Sequence, residues 1–383
     1  MADSRASTGL DRLRPGDSVA IALSGGIDSA VAAHILLEQG IEVLAFHLVL
    51  TPDTSALPTA QAVAGTLGLK LEVVNLKAEF KRLIIEPFIR AYVKGRTPNP
   101  CVACNAAVKF GLLWERVRAE GADYLATGHY AALDRPAGGS GRVLARTGDR
   151  QKDQTYFLCR LAPETPDRIL FPLAGLTKEQ VRKKASALNI PQRAESQEIC
   201  FLAGRDYRDF VRARLGPRPA SPGYFVDTKG RVLGRHRGLL DYTVGQRRGL
   251  GLPGPEPYYV LDLDPENNRI ILGTKTRTLS RAFTARDIVW SVQPPGQVFD
   301  ALVQIRSRHN PAPAKVRLVP NNGAEVVFEK SQSSITAGQA AAFYQGRVML
   351  GGGWIERAAT SDIQPPGHDG KNVQNRIVTP SGR

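Results

Sequence analysis

From residue 17 onward the chain alternates short, uniformly apolar runs with longer stretches whose apolar positions recur every three to four residues. SVAIAL, IEVLAFHL, KLEVVNL and ADYLATG are the apolar runs, while DSAVAAHILLEQG, TAQAVAGTLG and the segment 80–92 carry helical spacing. Runs without polar alternation suit strands buried on both faces, so this order predicts a parallel sheet wrapped by helices. Gly40, Gly68 and Gly121 follow the helical patterns where a left-handed residue is wanted to end a helix. Residues 153–190 also read as helical, with Thr177 and Gln180 placed as a capping box before VRKKASALN.

The period changes after Cys200. GYFVDTKGRVLG, YYVLDLDPENNRIILG and AKVRLVPNNGAEVVFEK each set alternating runs around turn residues, which predicts hairpins. A break near 279–284 divides this half. The expected organisation is an α/β parallel-sheet domain over 1–205, a small β-rich central linker domain over 206–280 and a C-terminal β-barrel over 281–357. The polar, Pro/Gly-punctuated remainder, 358–383, has no periodicity and is expected to be disordered.

At 383 residues the chain exceeds one ordinary core, in keeping with several domains. Its formal charge of +15 favours encounter with polyanions, nucleic acid first among them, although a generally basic soluble surface gives the same number. No run approaches the ~20 apolar residues that cross a bilayer. The opening MADSRASTGLDRLRPGD lacks the apolar core of a secretion signal, so a cytoplasmic protein with no membrane partner is expected. Four cysteines are too few for a disulfide scaffold at this length, which turns attention to catalysis or metal binding.

Candidate chemistry begins at Ser24-Gly25-Gly26-Ile27-Asp28-Ser29, between the first strand and the first helix. A Gly-Gly turn lets the backbone approach a ligand closely, and hydroxyls and free amides at a helix start donate to phosphate oxygens. A bare Asp28 carboxylate would repel phosphate, so its expected role is to hold Mg²⁺. The loop has neither the Gly-Lys-Ser/Thr ending of a Walker loop nor the spaced glycines of dinucleotide folds. It resembles the SGGxDS loop of the PP-loop ATP pyrophosphatases, which cleave ATP between the α and β phosphates and pass AMP to a carbonyl oxygen.

A second constellation is Arg96-Thr97-Pro98-Asn99-Pro100-Cys101-Val102-Ala103-Cys104-Asn105, leading into NAAVKFGLLWERVRAEG. Placed near a helix start among basic neighbours, Cys104 is expected to have a lowered thiol pKa. Ser196-Gln197-Glu198-Ile199-Cys200-Phe201 offers a distant partner, and Cys159 within TYFLCRL reads as a buried apolar residue.

SGGIDS, GRTPNPCVACN, ATGHYA, KDQTYFL, SQEICF, GQRRGLG and AGQAAAFYQGRVMLGGG, in this order, resemble the tRNA-specific 2-thiouridylase family over nearly the whole ordered length. That resemblance implies a PP-loop (adenine nucleotide alpha hydrolase-like) domain, a central domain and a tRNA-holding barrel, and ATP-dependent exchange of a wobble uridine oxygen for sulfur. It assigns Cys104 as nucleophile and Cys200 as persulfide carrier. ATP would be bound by Ala22, Leu23, Ser24, Gly25, Gly26, Ile27, Asp28 and Ser29, with Leu48 and Gly128. Asn99, Pro100 and Cys101 would line the target base, and His129, Lys152, Asp153, Gln154, Arg306, Ser307 and Gln339 would hold tRNA.

The implied partners are tRNA (lysine, glutamate and glutamine acceptors) and a persulfide donor such as a cysteine desulfurase or sulfur-relay protein; a monomer is the default. Two departures stand out. Leu48 occupies a position where many members have methionine, and Cys101 one where some have aspartate. The latter lets Cys101, Cys104 and Cys200 be read instead as ligands of an iron–sulfur cluster. Arg247 and Arg248 in GQRRG are candidate phosphate contacts. The competing functions are another PP-loop tRNA-modifying enzyme, such as a lysidine synthetase, and a non-catalytic RNA-binding protein; neither needs the cysteine pair.

Overall fold

The computed structural model describes residues 7–135, 141–149, 151–190, 199–216 and 221–359. Ser196, Gln197 and Glu198 of the second cysteine motif lie outside them, as does the tail beyond Ala359.

Five parallel strands form the first sheet: β1 (Ser18–Ala22), β2 (Glu42–Val49), β3 (Leu71–Asn75), β4 (Tyr124–Ala126) and β7 (Ile169–Leu170), in the order β3-β2-β1-β4-β7. Val19, Ala20 and Ile21 are wholly buried, which is why β1 shows no alternation. The chain steps outward from β1 to β3 and then returns to β4 on the other side of β1. That reversal opens a crevice between the carboxyl ends of β1 and β4, where open α/β sheets bind ligands. Helices α1 (Ile27–Glu38) and α2 (Leu57–Thr66) are followed by Gly40 and Gly68 at φ 69° and 68°, the left-handed terminators that the sequence predicts.

The expected helix over 80–92 is present with a phase change. Helix α3 (Lys77–Phe80) runs through a π-helical stretch, Lys81–Ile85, into α4 (Glu86–Val93). The cysteine segment behaves likewise: α5 (Pro100–Cys104) continues as π helix over Asn105–Leu112 and becomes α6 (Leu113–Ala119), after which Gly121 stands at φ 93°.

The reading of 153–190 as helical needs correction. Only a short turn at Thr155–Leu158, another at Thr165–Asp167, and α7 (Lys178–Ala187) are helical, and the edge strand β7 lies among them. Pro163, Pro166 and Pro172 interrupt the pattern, each lacking the N–H that a helix interior needs. The capping box is as expected: Gln180 N–H donates to Thr177 Oγ1 at 3.3 Å, and Thr177 N–H to Gln180 Oε1 at 2.8 Å.

After α8 (Tyr207–Leu215), strands β8 (Gly223–Asp227), β9 (Val232–His236), β10 (Tyr259–Asp264) and β11 (Arg269–Gly273) make a second sheet, β10-β11-β8-β9, around Phe225, Val260, Ile270 and Leu272. The third sheet comprises β12 (Leu279–Trp290), β13 (Val298–Gln304), β14 (Ala312–Val319), β15 (Gly323–Ser333), β16 (Ala340–Gln345) and β17 (Val348–Ala359). It closes into a six-stranded barrel because β12 pairs with both β15 and β17. Asn321 and Asn322, at φ 61° and 53°, supply the two left-handed residues of the tight β14–β15 turn.

The barrel is not a detached module. A hairpin of β5 (Ala132–Asp134) and β6 (Val143–Ala145) joins its edge through the pairing of Ala145 with Val348. Phe46, Leu125 and Tyr156 of the α/β domain share one apolar core with Ala340, Ala342, Tyr344 and Met349 of the barrel. Cys159 is fully buried in this core, as expected for a small apolar side chain, and it fills the space that Gly352 leaves open.

Candidate active site

The Ser24–Ser29 loop leaves the carboxyl end of β1 and enters α1. Leu23 N–H donates to the Phe46 carbonyl at 2.8 Å, tying the exit of β1 to β2. Ser29 Oγ accepts from Ser24 N–H at 3.2 Å and donates to the Gly26 carbonyl at 3.0 Å, closing the turn on itself. Gly25 stands at φ 81°, and a methyl group on it would sit 3.1 Å from Ala60 N and 3.2 Å from the Ala56 carbonyl. The turn therefore requires glycine both for its conformation and for its seat against the start of α2.

Gly128, just beyond β4, backs onto the same loop: a Cβ there would lie 2.7 Å from both Asp28 C and Ser29 N. The two strand ends that border the crevice thus meet backbone to backbone. Leu48 stands on neighbouring β2, part-buried against the core that contains Phe46 and Val102.

Asp28 is engaged within the protein. Its Oδ1 accepts from Tyr130 Oη at 2.8 Å and from Lys178 Nζ at 2.7 Å, and Oδ2 accepts from the same Nζ at 2.8 Å. One lone pair of Oδ2 is left over from these bonds, enough for a single bond to a magnesium ion that keeps most of its waters. The local sequence gives no hint of either partner, which lie 102 and 150 residues away.

The cysteine loop is built from Asn99 forward. Asn99 caps α5 by accepting from Val102 N–H at 3.4 Å, and Pro100 takes the first helical position, where a missing N–H costs nothing. The helix consequently starts four residues before Cys104 and runs on past it, so that thiol lies within the helix, and the expectation of a thiol acidified by a helix start is corrected. Cys104 is buried among Phe80, Phe88, Val108 and Phe201, and burial pushes its pKa up to about 12 against the opposing pull of Lys109.

Cys101 is half-buried and its thiol is also raised, chiefly by burial. Cys200 opens a short turn, Cys200–Leu202, whose Phe201 and Leu202 pack in the same cluster as Cys104. Cys200 is exposed and lies within electrostatic reach of both Cys101 and Cys104. Lys109 lies within electrostatic reach of all three sulfurs and of His129. The sequence shows Lys109 only as one helix charge. It stands five residues after Cys104, and on a π helix, with i to i+5 bonding, that step returns close to the same face.

His129 sits between the two constellations. Its ring lies 5.8 Å from that of Phe110 and 6.4 Å from that of Phe171, and Nδ1 is 2.8 Å from Thr127 Oγ1. Burial, then Lys109, hold its pKa well below the ordinary value, so the imidazole is neutral at neutral pH.

The remaining sequence candidates fall into two groups. Asp153 accepts from Thr147 N–H at 2.7 Å and Thr155 N–H at 3.1 Å, and Gln154 exchanges bonds with the Tyr130 backbone at 2.8 and 3.0 Å. The Asp153 side chain is thus occupied in shaping its own turn and that of Gln154 in tying the turn to Tyr130, and burial raises the Asp153 pKa. Lys152 beside them is half-buried. Gln339 Nε2 donates to the Thr97 carbonyl at 2.9 Å, and Thr97 N–H to the Ala337 carbonyl at 3.0 Å, so the barrel holds the approach to the cysteine loop. Arg306 Nη1 donates to the Ser333 carbonyl at 2.9 Å, and Ser307 is exposed next to it. Tyr156 links this side: it donates to the Ala340 carbonyl at 3.0 Å and bonds the Asn99 side chain.

Among the described residues no group of three or more His, Cys, Asp or Glu side chains is arranged to hold a metal ion, Cys101, Cys104 and Cys200 included. No helix among the described residues is long and apolar enough to cross a membrane. An approachable cleft of about 410 Å³ is lined by Arg247, Arg248 and Tyr258 in the central domain.

A parallel α/β sheet with an SGGIDS loop at its switch point defines a PP-loop protein, here with two cysteine-bearing segments packed together in one apolar cluster. Residues 17–204 match the tRNA methyl transferase HUP domain, 208–274 the tRNA methyl transferase PRC-barrel domain and 280–355 the aminomethyltransferase beta-barrel domain. The chain is 42% identical to the tRNA-specific 2-thiouridylase MnmA of Geobacter metallireducens over 89% of its own length and 97% of that protein. It is 46% identical to the one from Desulforudis audaxviator, covering 89% and 99% of the two chains. For Chloroflexus aurantiacus the identity is 43%, with 89% and 98% covered. The chain belongs to the tRNA-specific 2-thiouridylase family.

The buried Cys104 thiol makes a direct prediction. Its alkylation by iodoacetamide, followed by peptide mass spectrometry, rises about tenfold per pH unit from about pH 7 to 10, because only the thiolate reacts. A rate that levels off below about pH 8 is incompatible with the raised pKa.

Proposed function

We propose that this protein activates a uridine of tRNA with ATP and replaces its 2-oxygen with sulfur. The observation that carries the reading is that Cys104 packs in one apolar cluster with Phe201 and Leu202, the two residues after Cys200, on a helical segment whose Phe110 ring lies against His129 beside the nucleotide crevice. A lysidine synthetase or a plain RNA-binding protein has no use for that pair.

The uracil carbonyl is a poor electrophile with a poor leaving oxygen. In the proposed sequence that oxygen attacks the α-phosphate of ATP, the α–β bridge breaks and pyrophosphate leaves. Mg²⁺, if bound, would be held by Asp28 and would neutralise phosphate charge there. Cys200 carries a persulfide loaded by an outside sulfur donor. The Cys104 thiolate attacks Cys200 Sγ, a Cys104–Cys200 disulfide forms, and hydrosulfide departs; it adds to C2 and AMP leaves with the old oxygen. An external thiol reduces the disulfide and restores both cysteines.

Cys104 rests as a protonated thiol, so its attack requires loss of a proton as the site fills, with Lys109 as the nearby cation that favours the anion. Flipping the base costs only a few kcal/mol in a single-stranded loop. Asn99, Pro100 and Cys101 are assigned to the base, and His129, Lys152, Arg306, Ser307 and Gln339 to the surrounding RNA. Asp153 and Gln154 are assigned there too, acting through the turn that Asp153 shapes and Gln154 ties to Tyr130. A monomer working in the cytoplasm on lysine, glutamate and glutamine tRNAs completes the proposal.

The test supplies purified protein with ATP, Mg²⁺, unmodified tRNA and a persulfide donor. Thiouridine is read by mass spectrometry of the digested tRNA, and AMP and pyrophosphate are measured alongside. Sulfur incorporation without ATP, or AMP formation coupled to lysine instead of sulfur, overturns the proposal.

A further inference from the structure

Cys104 is buried, whereas Cys200 is exposed, and residues 203–206, which follow its short turn, are exposed with it. Helix α8 comes next and carries three arginines, with Arg205 just ahead of it. Two of these four are neutralised: Arg208 by Asp206 at 3.0 Å, and Arg212 by Asp209 at 3.5 Å and by Asp241. Arg205 and Arg214 are exposed and have no such partner. Both lie over the ring of Phe210, at 5.7 and 3.4 Å from its centre. Their hydrogen bonds go to carbonyls, Arg205 Nε to Leu202 and Arg214 Nη1 to Phe210, each at 3.2 Å, and among the described residues neither meets a carboxylate. Phe210 packs in turn on Phe201, 5.1 Å between ring centres, and Phe201 is the residue after Cys200. Two like charges thus share one aromatic seat beside the exposed thiol.

Each guanidinium presents a planar fork of donors that matches a carboxylate, and the Phe210 ring leaves most of those donors unused. The repulsion between the two charges helps to lower the Arg214 pKa, after burial. We propose that Arg205 and Arg214 form the docking surface for the sulfur donor, a protein whose face around its own persulfide cysteine is acidic. This rests on the reading of Cys200 as the persulfide carrier. In the loading step the Cys200 thiolate attacks the outer sulfur of the donor's persulfide. That S–S bond breaks, the donor's cysteine leaves as a thiolate, and the persulfide now stands on Cys200 with no net oxidation. The two sulfurs have to touch, so the donor's face covers residues 203–206 and meets the arginine pair. RNA phosphates suit the same charges, but RNA has to bring its base to the buried Cys104, past the Thr97 segment that the barrel holds.

The experiment follows persulfide formation on Cys200 by alkylation and peptide mass spectrometry, with two kinds of sulfur source. One is a cysteine desulfurase supplied with L-cysteine, alone and with a sulfur-relay protein; the other is sodium polysulfide, which needs no docking. Arg205→Glu/Arg214→Glu is expected to slow loading from the protein donors at least about tenfold at low salt, while loading from polysulfide and affinity for tRNA change less than about threefold. Arg205→Lys/Arg214→Lys keeps the charges and most of the wild-type rate. Added salt slows protein-donor loading of wild type and spares the glutamate variant. Should the glutamate pair fail to fold, Arg205→Gln/Arg214→Gln carries the same expectation. Unchanged loading from the protein donors, equal slowing with both kinds of source, or a loss confined to tRNA binding overturns the docking surface and leaves Cys200 as the carrier. Wild type that is loaded by polysulfide but by neither protein donor overturns it as well. Wild type that takes sulfur on Cys200 from no source overturns both readings.

Discussion

Serine at position 104 or at position 200 is expected to reduce thiouridine formation by about 10³-fold or more, the scale of loss when a nucleophile is removed from a unit that works jointly. Pyrophosphate exchange with tRNA bound is expected to continue in both variants, because neither sulfur takes part in adenylation. Serine is nearly isosteric with cysteine, so the buried position 104 can accept it among Phe80, Phe88 and Phe201 without a large cavity. The two losses should also fail to add: the double variant is expected to be no slower than the worse single variant, since both thiols serve one transfer. Single-turnover thiolation with persulfide-loaded donor, followed by quantification of thiouridine, is the measurement. A Cys104→Ser enzyme with near wild-type turnover removes that residue from the chemistry.

The second large effect is expected from Gly128→Ala. The added methyl carbon would lie 2.7 Å from Asp28 C and Ser29 N and 3.0 Å from the Asp28 carbonyl oxygen, all backbone atoms at a helix start. No side chain can swing aside to make room. The loop after β4 must retreat from the nucleotide loop, at a strain of about 1–3 kcal/mol typical of overpacking. Tyr130, two residues on, moves with it and loosens its bond to Asp28. ATP affinity is expected to fall about tenfold to a hundredfold, with a lower melting temperature, read by calorimetric titration and thermal denaturation. Unchanged ATP affinity in this variant would mean that the crevice between β1 and β4 is not where the nucleotide lies.

Much of this architecture was legible in the residue pattern because the signals were local. The unbroken apolar runs read as buried parallel strands, the terminal glycines took their left-handed conformations, and Thr177 with Gln180 formed its capping box. The SGGIDS turn was legible for the same reason, since six consecutive residues carry its geometry. What could not be read was set by phase or by distance. Residues 153–190 misled because apolar spacing persists across Pro163, Pro166 and Pro172, whose rings break the helix that the spacing suggests. The acidity of Cys104 was misjudged because Pro100, capped by Asn99, begins the helix early and moves the thiol into an apolar nest. Lys109 was hidden by the π-helical stretch, which alters which side chains share a face. Lys178 and Tyr130 were hidden by chain separation alone, because only the folded sheet brings them to Asp28.

The bonds between Thr97 and the 337–339 segment, together with the apolar core common to both domains, tie the barrel directly to the loop that carries Cys101 and Cys104. A body so joined cannot close around its cargo as a hinged jaw does. On the proposed assignment of barrel residues to RNA, the RNA has to deliver its own nucleotide into the crevice, and its reach from the point of grip would be the criterion by which a cognate loop is told from a wrong one.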